Sequence, residues 1–217
     1  MPKIIPALRE AILDSVQSAV ATEGWDALAI RTIAQRCGVA PGTIYNYFPS
    51  REAIAAAVMG RDWRDREKRL HARLSCSSPD TPSDELEEAL ARLRALYDEL
   101  EGFAARYRRV WHEGGESVLA AESGRADADR VRFRETIAEF ALRALGPIAE
   151  QTGIEPNALA RFLSRAILDL ALDPKCRFDD ALPIFMKILT PTTIRPIGAE
   201  FTTESASRKA KRKNDEH

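Results

Sequence analysis

The stretch GWDALAIRTIAQRCGVAPGTIYNYFPSREAI, residues 24–54, decides the fold of this chain. Its apolar residues have the spacing of two short helices, the first from Ile30 to Arg36, and Cys37-Gly38 interrupts the periodicity between them. Glycine can adopt a left-handed conformation at no steric cost, so Gly38 is the natural turn. The second helix begins at Pro41, where proline loses only an amide that has no partner within the helix. The segment therefore predicts a helix-turn-helix followed by a third helix.

The second helix is predicted to have a polar side and an apolar side. At about 100° per residue, one side carries Thr43, Asn46 and Tyr47, and the other carries Ile44, Tyr45 and Phe48. An asparagine can make a paired contact with adenine, a threonine methyl can contact a thymine methyl, and a tyrosine hydroxyl can bind phosphate. The polar side therefore suits the major groove of DNA.

Four groups of residues in this stretch carry a family resemblance. They are Ile33-Ala34, Gly38-Val39, Gly42-Thr43-Ile44-Tyr45 and Phe48-Pro49-Ser50-Arg51-Glu52-Ala53-Ile54. In these groups the chain resembles the helix-turn-helix of the tetracycline-repressor (TetR) family of bacterial transcription regulators. The resemblance implies that ten residues contact DNA: Arg31, Thr32, Pro41, Gly42, Thr43, Tyr45, Asn46, Tyr47, Ser50 and Arg51.

The resemblance also implies a role for several of these positions. Arg31 matches a position that often contacts a base or phosphate, and positions 41–43 with Asn46 match those that contact bases. Tyr45, Tyr47 and Arg51 match anchors of the DNA backbone, while Ser50 caps the next helix so that its amino end faces the phosphates. For Tyr45 the apolar side leaves a second alternative open, a core residue with a buried hydroxyl.

One position departs from the family pattern. Ala29 stands where the family usually has a threonine that caps the helix and touches phosphate. An alanine lacks the hydroxyl, so we expect this contact to be lost at about 1 kcal/mol of helix stability.

Length and composition bound the class of protein. A chain of 217 residues with 45% hydrophobic residues can bury a sizeable core. It has no apolar run of about 18 residues and no leader-like start, so we expect a soluble, cytoplasmic bacterial protein that is nucleoid-associated when bound to DNA. Three scattered cysteines are too few for a disulfide framework or a metal cage, and no cofactor or membrane contact is expected.

The formal net charge of −1 divides unevenly along the chain. Residues 1–75 hold 11 Lys or Arg against 8 Asp or Glu, residues 76–200 hold 16 against 22, and the last 17 residues hold 5 against 3. A basic amino-terminal part suits contact with phosphates. The basic tail either adds nonspecific DNA affinity or is simply solvated, and we favour the second.

The remaining periodicity predicts an all-α fold. A three-helix head, residues 1–50 with its turn motif at about 29–48, is joined by a long helix to a helical effector-binding and dimerisation domain, 51–190, before a disordered tail, 191–217. The predicted helices beyond the head are Arg51 to Leu74, Glu85 to Gly102, Phe103 to Glu113, Ala126 to Leu145, Pro156 to Asp173 and Asp179 to Leu189. In the long helix, RDWRDREKRLHAR alternates in charge and offers pairs such as Asp62 with Arg66 and Asp65 with Arg69. The stretch is either a solvated face or a direct DNA contact, and we favour the solvated face.

The TetR resemblance implies two further sites in the helical domain. An apolar and aromatic effector pocket is expected from Trp63, Tyr97, Phe103, Tyr107, Trp111, His112, Phe133 and Phe140. A homodimer interface is expected from Leu159, Phe162, Leu163, Ala166, Ile167, Leu170, Phe185, Ile188 and Leu189. A dimer also follows from symmetry, because two heads double the contacts that one small motif makes with double-stranded DNA carrying a palindromic operator.

The leading hypothesis is therefore a dimeric transcription regulator, a repressor that an unknown small effector releases from its operator. The alternative keeps the DNA-binding head and makes the body a protein-interaction module without a small ligand. An enzyme fits least, because the three histidines, at positions 71, 112 and 217, lie on charged helices or in the tail, and no catalytic or metal-binding motif is present.

Overall fold

A computed structural model describes the backbone of residues 6–75, 85–120 and 125–190, and the side chains of residues 7–75, 85–110 and 131–190. Within these ranges the secondary structure is helical, which confirms the predicted all-α class. The α-helices are α1 (Pro6–Glu23), α2 (Ile30–Cys37), α3 (Pro41–Tyr45), α4 (Arg51–Ser75), α5 (Glu85–Ala120), α6 (Arg125–Leu145), α7 (Ile148–Gln151), α8 (Pro156–Leu172) and α9 (Phe178–Leu189). A 3-10 helix, Gly24–Leu28, joins α1 to α2. The predicted tail and the loop after α4 lie outside the described residues.

Local chemistry explains where the helices begin and end. Gly38 ends α2 at φ 66°, the left-handed conformation that favours glycine, and its amide donates back into the last turn. Pro41 and Pro156 begin α3 and α8 at the position where proline costs no hydrogen bond. The Glu155 carboxylate accepts from the first free amides of α8, which lowers the pKa of its carboxyl.

Helix α5 corrects one prediction. Gly102 was expected to separate a helix from Glu85 and another from Phe103, but one helix runs through it from Glu85 to Ala120. A Cβ atom on Gly102 would lie 3.1 Å from Nη1 of Arg66, a side chain of α4. The glycine therefore allows a close approach of two helices rather than a break in one of them, at a cost of about 1 kcal/mol in helix propensity.

One hydrophobic core runs through the described residues, from Ile12 of α1 to Leu189 of α9. Helix α5 is its axis, because α5 contacts α1, the 3-10 helix, α4, α6, α8 and α9. The amino-terminal helices therefore pack on the body through α5 as well as through the covalent continuation into α4. The domain boundary at residue 50 stays a prediction.

A buried ion pair lies where α4 packs on α5. Asp62 and Arg66 are only 6% and 7% exposed, and Nε of Arg66 lies 3.3 Å from Oδ2 of Asp62. Nη1 of Arg66 also donates to the backbone carbonyl of Glu99 at 2.9 Å and to its carboxylate at 3.2 Å. The interpretation of this stretch as a solvated face is therefore wrong for Asp62 and Arg66, because α5 covers that side of α4.

The exposed side of α4 pairs differently from the prediction. Asp65 accepts from Lys68 at 2.9 Å, and Arg69 donates to Glu99 of α5 instead of to Asp65. Burial by itself would raise the pKa of the Glu99 carboxyl, but the hydrogen bond from Arg69 and the nearby arginine charges outweigh it. The pKa of Glu99 therefore lies below its ordinary value of 4.5.

Replacing the buried guanidinium tests the importance of this pair. We expect Arg66→Met to lower the free energy of unfolding by about 3 kcal/mol, because it leaves the Asp62 carboxylate buried without its main partner. Urea unfolding at fixed protein concentration measures the change. Lys68→Met is the matched control, since the Lys68–Asp65 pair is exposed, and it should leave stability nearly unchanged. Equal losses in the two variants would contradict the expectation.

Candidate DNA-binding surface

The helix-turn-helix is built on a small set of buried apolar side chains. Ile33 and Ala34 of α2 and Ile44 of α3 are buried, together with Phe48 after α3. The turn between the helices closes when the amide of Val39 donates to the carbonyl of Ala34 at 2.9 Å. These contacts fix the angle between α2 and α3 and leave the other side of α3 open to solvent.

Helix α3 is shorter than the sequence suggests. It ends at Tyr45, and Asn46 is its carboxy-terminal cap. Asn46 and Tyr47 therefore lie in the turn after α3, not on one helical face with Thr43 as predicted. Their amides still donate to the carbonyls of Thr43 and Ile44, at 3.2 and 3.0 Å, so the turn stays attached to the helix.

The structure exposes half of the ten predicted DNA-contacting residues. The exposed ones are Arg31, Pro41, Gly42, Tyr45 and Asn46, and the half-buried ones are Thr32, Thr43, Tyr47, Ser50 and Arg51. Tyr45 is 55% exposed, so the alternative that placed it in the core is wrong. A Cβ atom on Gly42 would meet nothing within 4 Å, which means that the absence of a side chain there is not required by packing.

Ser50 caps α4 as predicted. The amide of Ala53 donates to its Oγ at 3.2 Å, which satisfies one of the four free amides at this helix start. The positive end of the α4 dipole and the remaining free amides lie directly after the turn that follows α3. Such a helix start attracts anions, including phosphates.

The guanidinium of Arg51 is already engaged within the head. Its Nη2 donates to the backbone carbonyl of Trp25 at 2.7 Å, and its Cζ lies 4.6 Å from the centroid of the Trp25 ring. Arg51 would have to leave these contacts before it could anchor the DNA backbone as predicted. The sequence contained no sign of this contact, because 26 residues separate the two partners.

Ala29 is the weak start of α2. It has the extended conformation of an amino-terminal cap, φ −65° and ψ 120°, but no side-chain hydrogen bond caps the helix. Ala29 thus has the backbone geometry of a cap residue, but it lacks the hydroxyl that would accept a hydrogen bond from the helix.

Four of the eight residues of the predicted effector pocket form one cluster between α4, α5 and α6. The ring centroids lie 5.6 Å apart for Trp63–Phe103, 4.7 Å for Trp63–Phe133 and 4.9 Å for Phe103–Tyr107. We call Trp63, Phe103, Tyr107 and Phe133 the aromatic cluster. Its rings meet edge to face or tilted, so they pack on each other.

Tyr97 and Phe140, two of the other four residues of that prediction, do not join the cluster. Tyr97 instead contacts Phe178 of α9, with centroids 5.6 Å apart, and Phe140 contacts His71 at 4.8 Å. The assignment of Tyr97 and Phe140 to the pocket is therefore wrong. Tyr97 lies on the side of α5 that faces α9, and the Phe140 ring packs against His71 of α4. The side chains of Trp111 and His112 lie outside the described residues.

The predicted dimer interface divides into two sets. Leu159, Leu163, Ile167, Phe185 and Leu189 are buried within the single chain, so their assignment is wrong, because they face the core on the inner side of α8 and α9. Ala166, Leu170 and Ile188 are half-buried. Phe162 is 58% exposed, and three further apolar residues on these helices that were not predicted are also exposed, Leu172, Ile184 and Met186.

A groove of about 490 Å³ lies on the surface between α6 and α8. Its lining combines apolar residues such as Val131 and Leu168 with Arg134, Arg161 and Arg165. It does not coincide with the aromatic cluster. Among the described residues, no three His, Cys, Asp or Glu side chains are close enough to hold a metal ion, and no helix has the length and hydrophobicity to cross a membrane.

The head matches a known family. Residues 12–58 match the model of bacterial regulatory proteins of the tetR family. Over 55 residues the chain is 36% identical to the HTH-type transcriptional repressor KstR of Mycolicibacterium smegmatis, a match that covers 25% of this chain and 27% of that repressor. It thus spans about a quarter of the length of that relative.

Two longer similarities cover the body as well. The chain is 24% identical over 162 residues to the HTH-type transcriptional regulator UidR of Escherichia coli K12, which covers 75% of this chain and 76% of that regulator. A solved transcriptional regulator of the TetR/AcrR family from Thermobifida fusca superposes with a TM-score of 0.56 at 20% identity, over 83% of this chain and 95% of that one. The second similarity is one of fold.

A hydroxyl at position 29 should complete the start of α2. We expect Ala29→Thr to raise the free energy of unfolding by about 1 kcal/mol, because the new Oγ can accept from the amide of Thr32. Urea unfolding measures the gain. Ala29→Val is the matched control, since valine has the same shape without the hydroxyl and should give no such gain. An equal gain from both variants would show that capping is not the cause.

Proposed function

We propose that this chain, whose residues 12–58 match the tetR family, is a dimeric, DNA-binding transcriptional repressor of that family. It acts in the cytoplasm and leaves a palindromic operator when a small, largely apolar or aromatic effector binds. The observation that carries the proposal is the exposed side of α3, with Pro41, Gly42, Tyr45 and Asn46 open to solvent next to the capped start of α4.

DNA contact is supported by the chemistry of this surface. The Asn46 amide is exposed at the end of α3 and can pair with a base edge, while the Tyr45 hydroxyl can donate to a phosphate. Arg31, exposed at the start of α2, adds a positive charge that releases counterions on binding. Gly42 lets the α3 backbone approach the floor of the major groove without a side chain in between.

The dimer is supported by exposed apolar side chains on the last two helices. Phe162, Leu172, Ile184 and Met186 are large, apolar and exposed on α8 and α9. Exposed apolar residues that gather on neighbouring helices are typical of surfaces that another protein covers. A second copy related by two-fold symmetry would cover them and would present two heads to the two halves of a palindrome.

If an effector bound in the body is to move the DNA-binding head, the two parts must be mechanically connected. Polar contacts from α4 and α5 to α1 provide such a connection. Arg61 of α4 donates to Asp14 at 2.8 Å and to Glu10 at 3.3 Å, and it also donates to Gln17, all on α1. Arg109 of α5 donates to the carbonyl of Thr22 at the end of α1. A movement of α4 along α5 would therefore move α1, and couplings between two sites of this kind are typically about 1 to 3 kcal/mol.

A second candidate function keeps the head and makes the body a protein-interaction module. The groove between α6 and α8 favours it, because the groove opens to the surface and Val131 at its rim is largely exposed. The two candidates differ in where a partner binds. A small effector would engage the interior of the body, whereas a protein would cover this groove.

Selective DNA binding is the first test. We expect the full chain to bind one or more sites in the DNA flanking its own gene, with an affinity that falls steeply as salt increases. Fluorescence anisotropy on labelled duplexes measures this. Asn46→Ala should reduce the preference for the selected duplex over unrelated DNA by about tenfold, and Arg31→Ala should weaken binding to both and lower the salt dependence.

The control for these variants is Arg132→Ala, which removes an equal charge from an exposed position on α6. It should leave DNA binding unchanged, since α6 lies in the body. The DNA proposal fails if the folded chain shows no preference among duplexes, or if Arg132→Ala weakens binding as much as Arg31→Ala.

A charge on the exposed face of α9 tests the dimer. Ile184→Asp places a carboxylate at a position that is 58% exposed in the single chain, so the monomer should keep its fold. We expect the variant to sediment as a monomer at micromolar concentration and to lose most of its affinity for a palindrome. Val131→Asp, at an equally exposed position on α6, should stay dimeric. A wild-type chain that sediments as a monomer at high concentration would refute the dimer.

A further inference from the structure

We propose that Nε1 of Trp63 is the hydrogen-bond donor for the effector, and that the effector is an uncharged molecule with an apolar or aromatic body and one acceptor atom. The inference rests on the proposed function, because it specifies the ligand of the body. The proposed binding site is the aromatic cluster between α4, α5 and α6.

The donor is unusual in its surroundings. The Trp63 side chain is only 8% exposed, and its Nε1 is buried without a hydrogen-bond partner among the residues that the structure describes. Buried polar groups are nearly always hydrogen-bonded, because the group loses its water on burial and gains nothing in return. An indole that is buried usually finds an acceptor for its N–H. This indole N–H has no acceptor in the part of the chain that the structure describes, so an acceptor supplied by a ligand would remove a cost that the closed cluster carries.

The atoms around the indole define the apolar part of the ligand. Phe133 meets Trp63 edge to face at 4.7 Å, Phe103 does so at 5.6 Å, and Tyr107 lies against Phe103. Phe133 is the only half-buried member of the aromatic cluster. Since Nε1 is buried in this closed packing, a ligand reaches it by displacing a ring, and Phe133 is the ring of the four that is most exposed to solvent. An aromatic or alkyl group would then take its place against Trp63.

The charges beside the cluster argue for an uncharged ligand. The carboxylate of Asp62, next to Trp63 in the chain, forms ion pairs with Arg66 at 3.3 Å and Arg106 at 4.0 Å. Arg66 also pairs with the carboxylate of Glu99 at 3.2 Å. An ionic ligand would have to break one of these pairs to find a counter-ion in the interior, and breaking a buried pair is costly. Burial raises the pKa of Tyr107 well above its ordinary value, so the phenol within the cluster also stays neutral.

The position of Trp63 on α4 connects this site to the head. Arg61, two residues earlier, holds α1, and Arg66, three residues later, holds the α5 backbone. A ligand that bonds Nε1 prefers the conformation in which the cluster is open. Because a ligand shifts an equilibrium only by its different affinity for the two states, the unpartnered donor provides that difference.

Three small probes test the ligand class on the full wild-type chain. Acetophenone has an aromatic ring and an acceptor, isopropylbenzene has nearly the same shape without the acceptor, and benzoate is an anion of similar size. Isothermal titration calorimetry measures each affinity, and thermal melting checks it. We expect acetophenone to bind about tenfold more tightly than either of the others, the ratio that one hydrogen bond typically gives.

The variant Trp63→Phe keeps an aromatic ring and removes the donor. Because Nε1 has no partner among the described residues, the variant should melt no more than slightly below the wild type. Its affinity for acetophenone should fall about tenfold, to that for isopropylbenzene, while its affinity for isopropylbenzene stays the same. Trp25→Phe is the matched control, since it changes an indole in the head and should leave the affinity for acetophenone as it is.

The outcomes separate this inference from the proposed function. Equal affinities of the wild type for acetophenone and isopropylbenzene, tighter binding of benzoate, no binding of any probe, or an unchanged affinity of Trp63→Phe for acetophenone would each overturn the inference, whatever the DNA assays give. If acetophenone binds through Trp63 and yet leaves the affinity for operator DNA unchanged, the inference about the site holds and the proposed release by an effector fails.

Discussion

The buried guanidinium of Arg66 is the constraint on which the arrangement of the helices depends. It lies between α4 and α5, bonded to the carboxylates of Asp62 and Glu99 and to the α5 backbone at Glu99. Moving any partner away from this desolvated charge would cost free energy, because water cannot replace the lost contact. The pair therefore fixes the register of the two helices. Gly102 of α5 provides the space, since a Cβ there would meet Nη1 of Arg66 at 3.1 Å.

The register of α4 on α5 matters because both helices also reach the head. Arg61 of α4 and Arg109 of α5 bind α1 from two sides, and the core continues from α1 into the body without interruption among the described residues. The helix-turn-helix packs on α1 through its buried face. The orientation of α3 therefore depends on contacts that lie far from it in the chain. Trp63 lies on the same stretch of α4, between the contacts to α1 and those to α5.

Local chemistry made the helix-turn-helix predictable. Gly38 needs a left-handed backbone, Pro41 needs a helix start and Ser50 needs free amides to cap, and each requirement refers to neighbours within four residues. The same kind of argument predicted the starts of α4 and α8. It failed at Gly102, because the helical conformation of that glycine is explained by a side chain 36 positions away.

The candidate sites were predicted less evenly, and burial explains why. Periodicity places apolar residues on helices but does not say which side of a broad apolar stripe meets the core. Phe162, Leu163 and Ile167 were all assigned to a dimer surface, but Leu163 and Ile167 are buried and only Phe162 of the three is exposed. Tyr45 and Arg51 were both predicted to anchor the DNA backbone, but the tyrosine is exposed whereas the arginine stacks on Trp25. Both assignments depend on partners that only the folded chain brings near.

The sequence by itself determined the all-α class and the helix-turn-helix, because these follow from short-range backbone preferences and hydrogen-bonding capacity. Only the tertiary structure decided that Asp62 and Arg66 are buried, that the rings of Phe103 and Phe133 pack on Trp63, and that Nε1 of Trp63 has no partner among the described residues. Burial and unmet hydrogen bonds arise from the packing of helices distant in sequence, and no local pattern encodes them.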